Sequence, residues 1–276
     1  MRIAILQMTS GIDPEANARS IIDAVGQAKQ GGAQMLFTPE MSGMLDRDRK
    51  RASGKIAFED QDLVLKAVQQ AAAEHQISVA IGSLALRRSG DERWVNRSLL
   101  IDAKGTIAAR YDKMHMFDVE LATGETWRES AAFAPGEQVI THQDTALGTI
   151  GLAVCYDMRF PALFEALGNA QCDLISIPAA FTVPTGRDHW HVLLRARAIE
   201  ASAFIVAAAQ VGQHEDGRAT YGHSLVIDPW GEVLLDMGGD GPGLAFCDLP
   251  MDRIAEVRGQ LPSLANRRKI PNENAS

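Results

Sequence analysis

Cysteine is scarce in this chain. Three cysteines, Cys155, Cys172 and Cys247, occur among 276 residues, and they lie far apart. An odd number of widely spaced thiols excludes a paired disulfide framework and every CxxC metal or redox motif. Each is therefore expected to be a free thiol, and the ordinary role of a free thiol is that of a small buried apolar side chain.

Long apolar runs are also absent from the sequence. Residues 1–8 are mostly apolar, but polar residues follow at once, so this run is too short for the core of a signal peptide. No later run approaches the roughly 20 residues that a membrane-spanning helix needs. The sequence therefore predicts a cytoplasmic protein that does not enter a membrane.

The chain has no surplus of positive charge. Its 27 Lys and Arg residues are outnumbered by 35 Asp and Glu residues, which gives a formal net charge of −8. Such a balance argues against a surface built to neutralise phosphates, and nucleic acid is excluded as an expected partner.

Linkers and low-complexity stretches are missing as well, and segments typical of strands and helices alternate from end to end. A strand at 2–8, a helix at 13–30 and a strand at 35–37 form a unit that favours a parallel crossover. The same order recurs in the second half, where we expect a strand, a helix and a strand at 149–154, 161–169 and 173–177. The sequence therefore predicts an internally duplicated α/β chain.

The remaining segments fit one domain. Helices are expected at 60–75, 188–202 and 251–258, and the further strands are expected at 78–86, 94–102, 106–111, 203–209, 223–228, 232–236 and 244–248. We predict a single α/β domain over residues 1–264, followed by a polar surface tail at 265–276.

Three reactive side chains follow predicted strands. Glu40, Lys113 and Cys155 each come within a few residues of a strand end, which is where α/β sheets place their sites. A thiol between a strand and a helix that begins at Pro161 can lie exposed on a tight turn, near backbone N–H groups that favour the thiolate. Cys155 is therefore the candidate nucleophile.

The other two side chains supply what a thiol nucleophile needs. A carboxylate in a partly desolvated pocket can take the thiol proton and later activate water, and Glu40 fits this role. An ammonium and a backbone N–H can stabilise the negative oxygen of a tetrahedral intermediate. Lys113 and the amide of Tyr156 are the candidates.

These residues carry a resemblance to a known family. Pro39-Glu40, the segment DKMHMFD at 112–118 and the segment CYDMRFP at 155–161 resemble the glutamate, lysine and cysteine signatures of the nitrilase superfamily, in the same order along the chain. The resemblance implies a hydrolase of carbon–nitrogen bonds that needs no metal or other cofactor. It also implies a four-layer α-β-β-α sandwich that pairs into a homodimer, with a small amide as substrate.

The resemblance extends to further site residues. The family has a second glutamate in the pocket, and the segment WRES at 127–130 matches it, so Glu129 would orient Lys113. The segments TGRDHW at 185–190 and RARAIE at 195–200 resemble the branch that hydrolyses deaminated glutathione, and the ω-amidase branch, which acts on α-ketoglutaramate, shares much of this pattern. Both substrates carry a 2-oxo carboxylate.

We expect a cationic side chain in the pocket to bind the carboxylate of such a substrate. Arg159, four residues after Cys155, could supply a bidentate guanidinium clamp, or it could instead pair with Asp157. The other residues expected to contact substrate are His115, Phe117, Phe181 and Thr185.

Several alternatives remain open on the sequence alone. His115 could activate Cys155 in a papain-like pair. The same triad could hydrolyse nitriles or N-carbamoyl groups, and a dimeric binding scaffold is the non-enzymatic alternative. His189 and His191 diverge on a helix because they are two residues apart, so a zinc site there is not expected.

Overall fold

The computed structural model describes residues 1–120, 124, 126–268 and 270. Within them, the α-helices are α1 (Pro14–Gln30), α2 (Arg49–Ser53), α3 (Leu63–His75), α4 (Pro161–Asn169), α5 (Val183–Ala201) and α6 (Asp252–Gln260). The strands of the first half are β1 (Arg2–Gln7), β2 (Met35–Phe37), β3 (Ser78–Arg87), β4 (Trp94–Ile101), β5 (Ile107–Asp112), β6 (Asp118–Glu120) and β7 (Thr126–Arg128). Those of the second half are β8 (Thr141–Thr145), β9 (Gly148–Leu152), β10 (Leu174–Ser176), β11 (Phe204–Ala207), β12 (Val211–Gln213), β13 (Ala219–Tyr221), β14 (Leu225–Ile227), β15 (Val233–Asp236) and β16 (Gly243–Asp248).

Most of the strands form two six-stranded sheets. The first has the order β16-β1-β2-β3-β4-β5, and the second has the order β15-β14-β11-β10-β9-β8. In each sheet three neighbouring strands are parallel, β1 to β3 in one and β9 to β11 in the other, and every other pair of neighbouring strands is antiparallel. The predicted duplication is therefore present in the strand order of the two sheets.

The two sheets pack face to face, and alternation along β1 shows how. Ile3 and Ile5 belong to the apolar core shared with the second sheet, whereas Ala4 and Leu6 pack with α1 and α3 on the opposite face. Successive side chains of a strand point to opposite faces, so a strand covered on both sides is apolar throughout. The helices α4 and α5 contribute Phe164 and others to the core on the far side of the second sheet. The predicted α-β-β-α order of layers is confirmed.

The helices begin where the sequence offers a cap. The side chain of Asp13 accepts a hydrogen bond from the N–H of Glu15 at the start of α1, and Asp62 does the same for Leu65 at the start of α3. Such caps satisfy N–H groups that have no acceptor within the helix. The helix predicted at 60–75 therefore begins at Leu63.

Some elements were not predicted from the sequence, and others differ in length from the prediction. The helix expected at 188–202 begins five residues earlier, at Val183, because Pro184 is tolerated in a first turn. The short helix α2, the strand β8 and the two-stranded ribbons β6–β7 and β12–β13 were not predicted. Each has five residues or fewer, which is too short for a clear periodic pattern.

Two further predictions concern the ends of the chain and membranes. Among the described residues, no helix combines the length and apolar character that crossing a bilayer requires. Of the tail predicted at 265–276, Lys269 and residues 271–276 lie outside the described residues.

Candidate active site

Parallel strands bring two of the predicted residues to one edge of the first sheet. Because β3–β4 and β4–β5 are both antiparallel, β5 runs in the same direction as β2 and β3. Glu40 lies three residues beyond the end of β2, and Lys113 immediately follows β5. Both side chains are buried, with exposed fractions of 4% and 2%.

Lys113 lies between two carboxylates. Its Nζ is 3.0 Å from Oε1 of Glu40, and 3.0 and 2.9 Å from the two carboxylate oxygens of Glu129. The N–H of Phe117 donates to Glu129 Oε2 at 2.7 Å, which holds that carboxylate in place. The ammonium therefore pairs with both carboxylates at once.

Cys155 lies on a strained turn at the carboxyl end of β9. Its φ of 48° is in the left-handed region, which a residue with a Cβ rarely adopts. A 3₁₀ helix, Cys155–Arg159, starts there, so the N–H of Tyr156 belongs to the first turn, where N–H groups have no acceptor within the helix. Cys155 is 8% exposed, and it lines the same cavity as Glu40 and Lys113.

Asp157 fixes the geometry of this turn. One carboxylate oxygen accepts from the N–H of Val154 at 2.9 Å and from the hydroxyl of Tyr111 at 2.7 Å. The other accepts from the N–H of His115 at 3.0 Å and lies 2.7 Å from its Nδ1. A fully buried carboxylate thus ties the turn after β9 to the segment that carries Lys113.

The electrostatics of the group favour a neutral thiol beside an ionised carboxylate. Burial, followed by the charge of Glu40, raises the pKa of Cys155 well above its ordinary value. Burial also raises the pKa of Glu40, but the charge of Lys113 and hydrogen bonds from Cys155, Lys113 and the Ala180 N–H outweigh it, so this pKa is lowered. Burial lowers the pKa of Lys113, but Glu129 and Glu40 raise it far more.

A cavity of about 330 Å³ opens onto these groups. Its volume is within the range typical of small-molecule sites. Of the residues predicted to act or to bind substrate, those that line it are Glu40, Lys113, Phe117, Glu129, Cys155, Tyr156, Phe181 and Thr185. Lining residues not predicted include Trp94, Trp127 and four arginines, Arg47, Arg49, Arg128 and Arg218.

Arg159 and His115 are not among the residues that line the cavity. The guanidinium centre of Arg159 is 5.9 Å from the ring centroid of Tyr156 and 5.4 Å from that of Phe181, and its nitrogens are 3.3 Å from Nδ1 of His189. It does not pair with Asp157. The His115 ring stacks on Phe160 with 3.6 Å between centroids.

The sequence analysis did not identify two supporting residues. Asn96, buried in β4, donates from Nδ2 to Glu40 Oε1 at 2.9 Å and to Glu129 Oε1 at 3.3 Å. An amide in the middle of an apolar strand was the available signal, because a buried polar group needs partners. Asp157 was considered only as a partner of Arg159, since nothing in the sequence shows that Tyr111 lies beside it.

His189 and His191 diverge on α5 as expected. His191 instead meets Asp236, which ends β15: a carboxylate oxygen of Asp236 lies 3.0 Å from Nε2 of His191, and the other lies 2.9 Å from Nδ1 of His223. The three potential ligand atoms lie within 4.8 Å of one another. Two imidazole–carboxylate hydrogen bonds account for this proximity without a metal ion.

Fold and site together define a class of protein. Two stacked sheets flanked by helices hold a thiol, a carboxylate and an ammonium at their carboxyl edges, the arrangement expected of a thiol hydrolase of carbon–nitrogen bonds. The sequence profile of the family described as Carbon-nitrogen hydrolase matches residues 2–259. The chain belongs to this family, and the predicted membership of the nitrilase superfamily is confirmed.

Proteins similar to this chain match it over nearly its whole length. A deaminated glutathione amidase of Synechocystis is 38% identical over 267 residues, which are 96% of this chain and 97% of that protein. Among solved structures, the NitFhit protein of C. elegans has a TM-score of 0.86 at 34% identity, covering 97% of this chain and 65% of that longer one. A variant of the amidase from Nesterenkonia sp. AN1, with acrylamide added at its active-site cysteine, has a TM-score of 0.79 at 30% identity, covering 95% and 98%.

Proposed function

We propose that the chain hydrolyses a small linear amide through a thioester on Cys155. The observation that carries this proposal is that Glu40, Lys113 and Cys155 line one cavity, with the Lys113 Nζ 3.0 Å from the Glu40 carboxylate. Burial and the charge of Glu40 help to raise the pKa of Cys155, while the charge of Lys113, acting against burial, helps to lower the pKa of Glu40. An ionised base beside a thiol can remove the proton as the sulfur attacks.

The first half of the reaction forms the thioester. Glu40 takes the thiol proton, and Sγ of Cys155 bonds to the amide carbon, whose π electrons move to oxygen. Lys113 and the N–H of Tyr156 stabilise that oxyanion. The C–N bond then breaks, and Glu40 delivers its proton to the departing amine.

The second half regenerates the enzyme. Glu40 takes a proton from water, and the hydroxide adds to the thioester carbon. The C–S bond breaks, the acid leaves, and the proton on Glu40 returns to sulfur. Glu129 touches Lys113 and the segment of Phe117, so we assign it the positioning of the ammonium.

Deaminated glutathione is the substrate that we favour. Relatives that carry this activity in their names match nearly the full length of the chain. The 2-oxo carboxylate of such a substrate would lie near Arg159 and Thr185, because Thr185 lines the cavity and Arg159 packs against two of its walls. The alternative substrate is α-ketoglutaramate, which shares the 2-oxo carboxylate but releases ammonia.

We also propose that the protein is a cytoplasmic homodimer. The three cysteines are unpaired, as in a reducing compartment. On α5, Val192 is 67% exposed and Ile199 45%, and Trp230 in the neighbouring β14–β15 turn is 48% exposed. Nε of Arg195 donates to the carbonyl of Gly231 at 2.7 Å, which holds helix and turn together as one apolar patch.

The substrate is tested by steady-state kinetics. The γ-amide of 2-oxoglutarate with cysteinylglycine, α-ketoglutaramate and a simple aliphatic amide are compared by kcat/KM, which measures discrimination between substrates. We expect the first to give the highest value. A higher value for α-ketoglutaramate would replace deaminated glutathione by the ω-amidase substrate, and absence of hydrolysis of all three would end the proposal.

The nucleophile is tested by substitution. Cys155→Ala should lose essentially all turnover because no other group can form the thioester, while circular dichroism should show an unchanged fold. Cys247→Ala is the matched control, since this thiol lies on β16, on the far edge of the first sheet from β5, and does not line the cavity. Turnover that survives in Cys155→Ala would refute the mechanism.

A further inference from the structure

Two arginines and a tryptophan form a second charged group in the wall of the cavity. Arg47 precedes α2, Arg218 precedes β13, and Trp127 lies on β7, and all three line the cavity. The guanidinium centre of Arg47 lies 5.7 Å from the centroid of the Trp127 ring, and that of Arg218 lies 5.2 Å from it. The two cations thus converge on one indole.

This group carries more positive than negative charge. Nε of Arg218 donates to the buried Asp216 at 2.6 Å, and Asp216 also accepts from the backbone N–H of Arg47 at 2.9 Å. Among the described residues, no carboxylate lies within salt-bridge distance of the Arg47 guanidinium. Asp216 therefore neutralises Arg218, and the Arg47 guanidinium has no ion pair of its own in the described ranges. Burial lowers the pKa of Arg218, Asp216 raises it, and the repulsion of Arg47 lowers it again, so that the net shift is downward.

The guanidinium groups of the other two arginines that line the cavity already have hydrogen-bond or ion-pair partners. Arg49 donates to the backbone carbonyls of Ala131 and Arg128 at 3.0 Å each, and Arg128 itself pairs with Glu120. Within the part of the chain that the structure describes, Arg47 is therefore the lining arginine whose guanidinium has neither an ion pair nor a hydrogen bond, and Arg218 lies beside it on the same indole.

The tryptophan adds an unused hydrogen-bond donor. Nε1 of Trp127 is buried and has no hydrogen-bond partner among the described residues. A buried donor without an acceptor costs about 1–3 kcal/mol, so such a group in a cavity wall indicates a ligand that accepts from it. Carboxylate oxygens accept strongly from guanidinium and indole N–H groups.

We propose that Arg47, Arg218 and Trp127 bind the terminal carboxylate of the amine that leaves, a dipeptide-like group. This inference rests on the proposed function, in which Arg159 and Thr185 serve the acyl end. Ammonia has no such carboxylate, so the group would select amides of a carboxylate-bearing amine over a primary amide.

The experiment compares two substrates that differ at a single group. One is the γ-amide of 2-oxoglutarate with cysteinylglycine, and the other is the same compound with its terminal carboxylate replaced by a carboxamide. We expect the wild type to favour the acid, and Arg47→Gln to lower the ratio of the two kcat/KM values by about tenfold or more, because a charge-assisted hydrogen bond is lost. Arg47→Lys should restore part of the ratio.

Controls separate this inference from the proposed function. Arg19→Gln, on the exposed face of α1, should leave the ratio unchanged. A wild type that hydrolyses neither 2-oxo amide refutes the proposed function. Hydrolysis without preference for the acid, or an equal loss on both substrates in Arg47→Gln, refutes only the carboxylate site, and the equal loss would move Arg47 to the acyl end.

Discussion

At the scale of the residue, the site depends on how charge is distributed among four buried groups. Lys113 is shared by Glu40 and Glu129, so the ammonium neutralises one carboxylate while the other remains negative. Breaking such a buried group costs far more than losing a surface ion pair, because the remaining charges stay desolvated. The charge of Lys113, together with hydrogen bonds from Lys113 and the Ala180 N–H, explains how Glu40 stays ionised beside a thiol.

The pH dependence of activity follows from this distribution. The pKa of Glu40 is lowered from its ordinary value of 4.5, so the base stays ionised until the pH falls below that value. We expect kcat/KM to be flat through neutral pH and to fall with an acid limb below pH 4.5. On the alkaline side, the pKa values of Cys155 and Lys113 are raised, so no loss is expected near neutrality.

The stability of the folded state is also expected to fall at low pH, and this loss must be separated from the loss of activity. A carboxyl whose pKa is lower in the folded than in the unfolded state stabilises the fold above its unfolded pKa, and this contribution is lost as the pH falls through the folded pKa. Circular dichroism at each pH therefore accompanies the kinetics. An acid limb near pH 6.5, the ordinary pKa of histidine, would instead favour His115 as the base.

At the scale of the element, the loop after β2 is held in place by a glycine of β3. A Cβ at Gly82 would lie 2.1 Å from the carbonyl oxygen of Thr38 and 2.3 Å from that of Pro39. Only a residue without a Cβ permits this approach. The loop in turn sets the position of Glu40, so the packing of two strands determines where the base lies.

Gly82→Ala should therefore displace Glu40. Overpacking of this kind costs about 1–3 kcal/mol, and a shift of roughly 1 Å in a catalytic group can lower kcat on the order of a hundredfold. Urea unfolding and steady-state kinetics would measure the two effects. Gly259→Ala is the control, because a Cβ there meets nothing within 4 Å and alanine favours the helix α6. Wild-type kcat in Gly82→Ala would contradict this account.

At the scale of the whole molecule, the site needs both sheets. Glu40 and Lys113 come from the first sheet and Cys155 from the second, and the Ala180 N–H that donates to Glu40 Oε2 at 2.8 Å follows β10 of the second sheet. The triad therefore exists only when the two halves of the chain are packed together.

The proposed homodimer is also a property of the whole molecule. Light scattering after gel filtration should give twice the chain mass of 29.9 kDa. Val192→Glu should shift the protein towards the monomer, because it introduces a charge into the apolar patch. Val139→Glu is the control, because Val139 is also an exposed valine, at 41%, but lies outside the patch. A monomeric wild type would refute the proposal.

The sequence predicted most of the regular structure and the identity of the reactive groups. Elements with a clear period or a turn signal, such as α1 and β3, were placed within a few residues. The short elements α2, β6, β7, β8, β12 and β13 were missed because too few residues carry their pattern, so their conformation depends on the segments that they pack against. Asn96 and Asp157 were missed for the same reason, since their roles consist of contacts with other segments.

The sequence by itself determined which residues could do chemistry, because Glu40, Lys113 and Cys155 follow strands in motifs of a recognisable family. Only the tertiary structure decided which of these groups are charged, because their pKa values depend on burial and on contacts near 3 Å. Those contacts join segments up to 140 residues apart. It also brought Arg47, Arg218 and Trp127 to one cavity wall. Local sequence signals cannot specify such contacts, because they arise only when separate elements pack around a shared core.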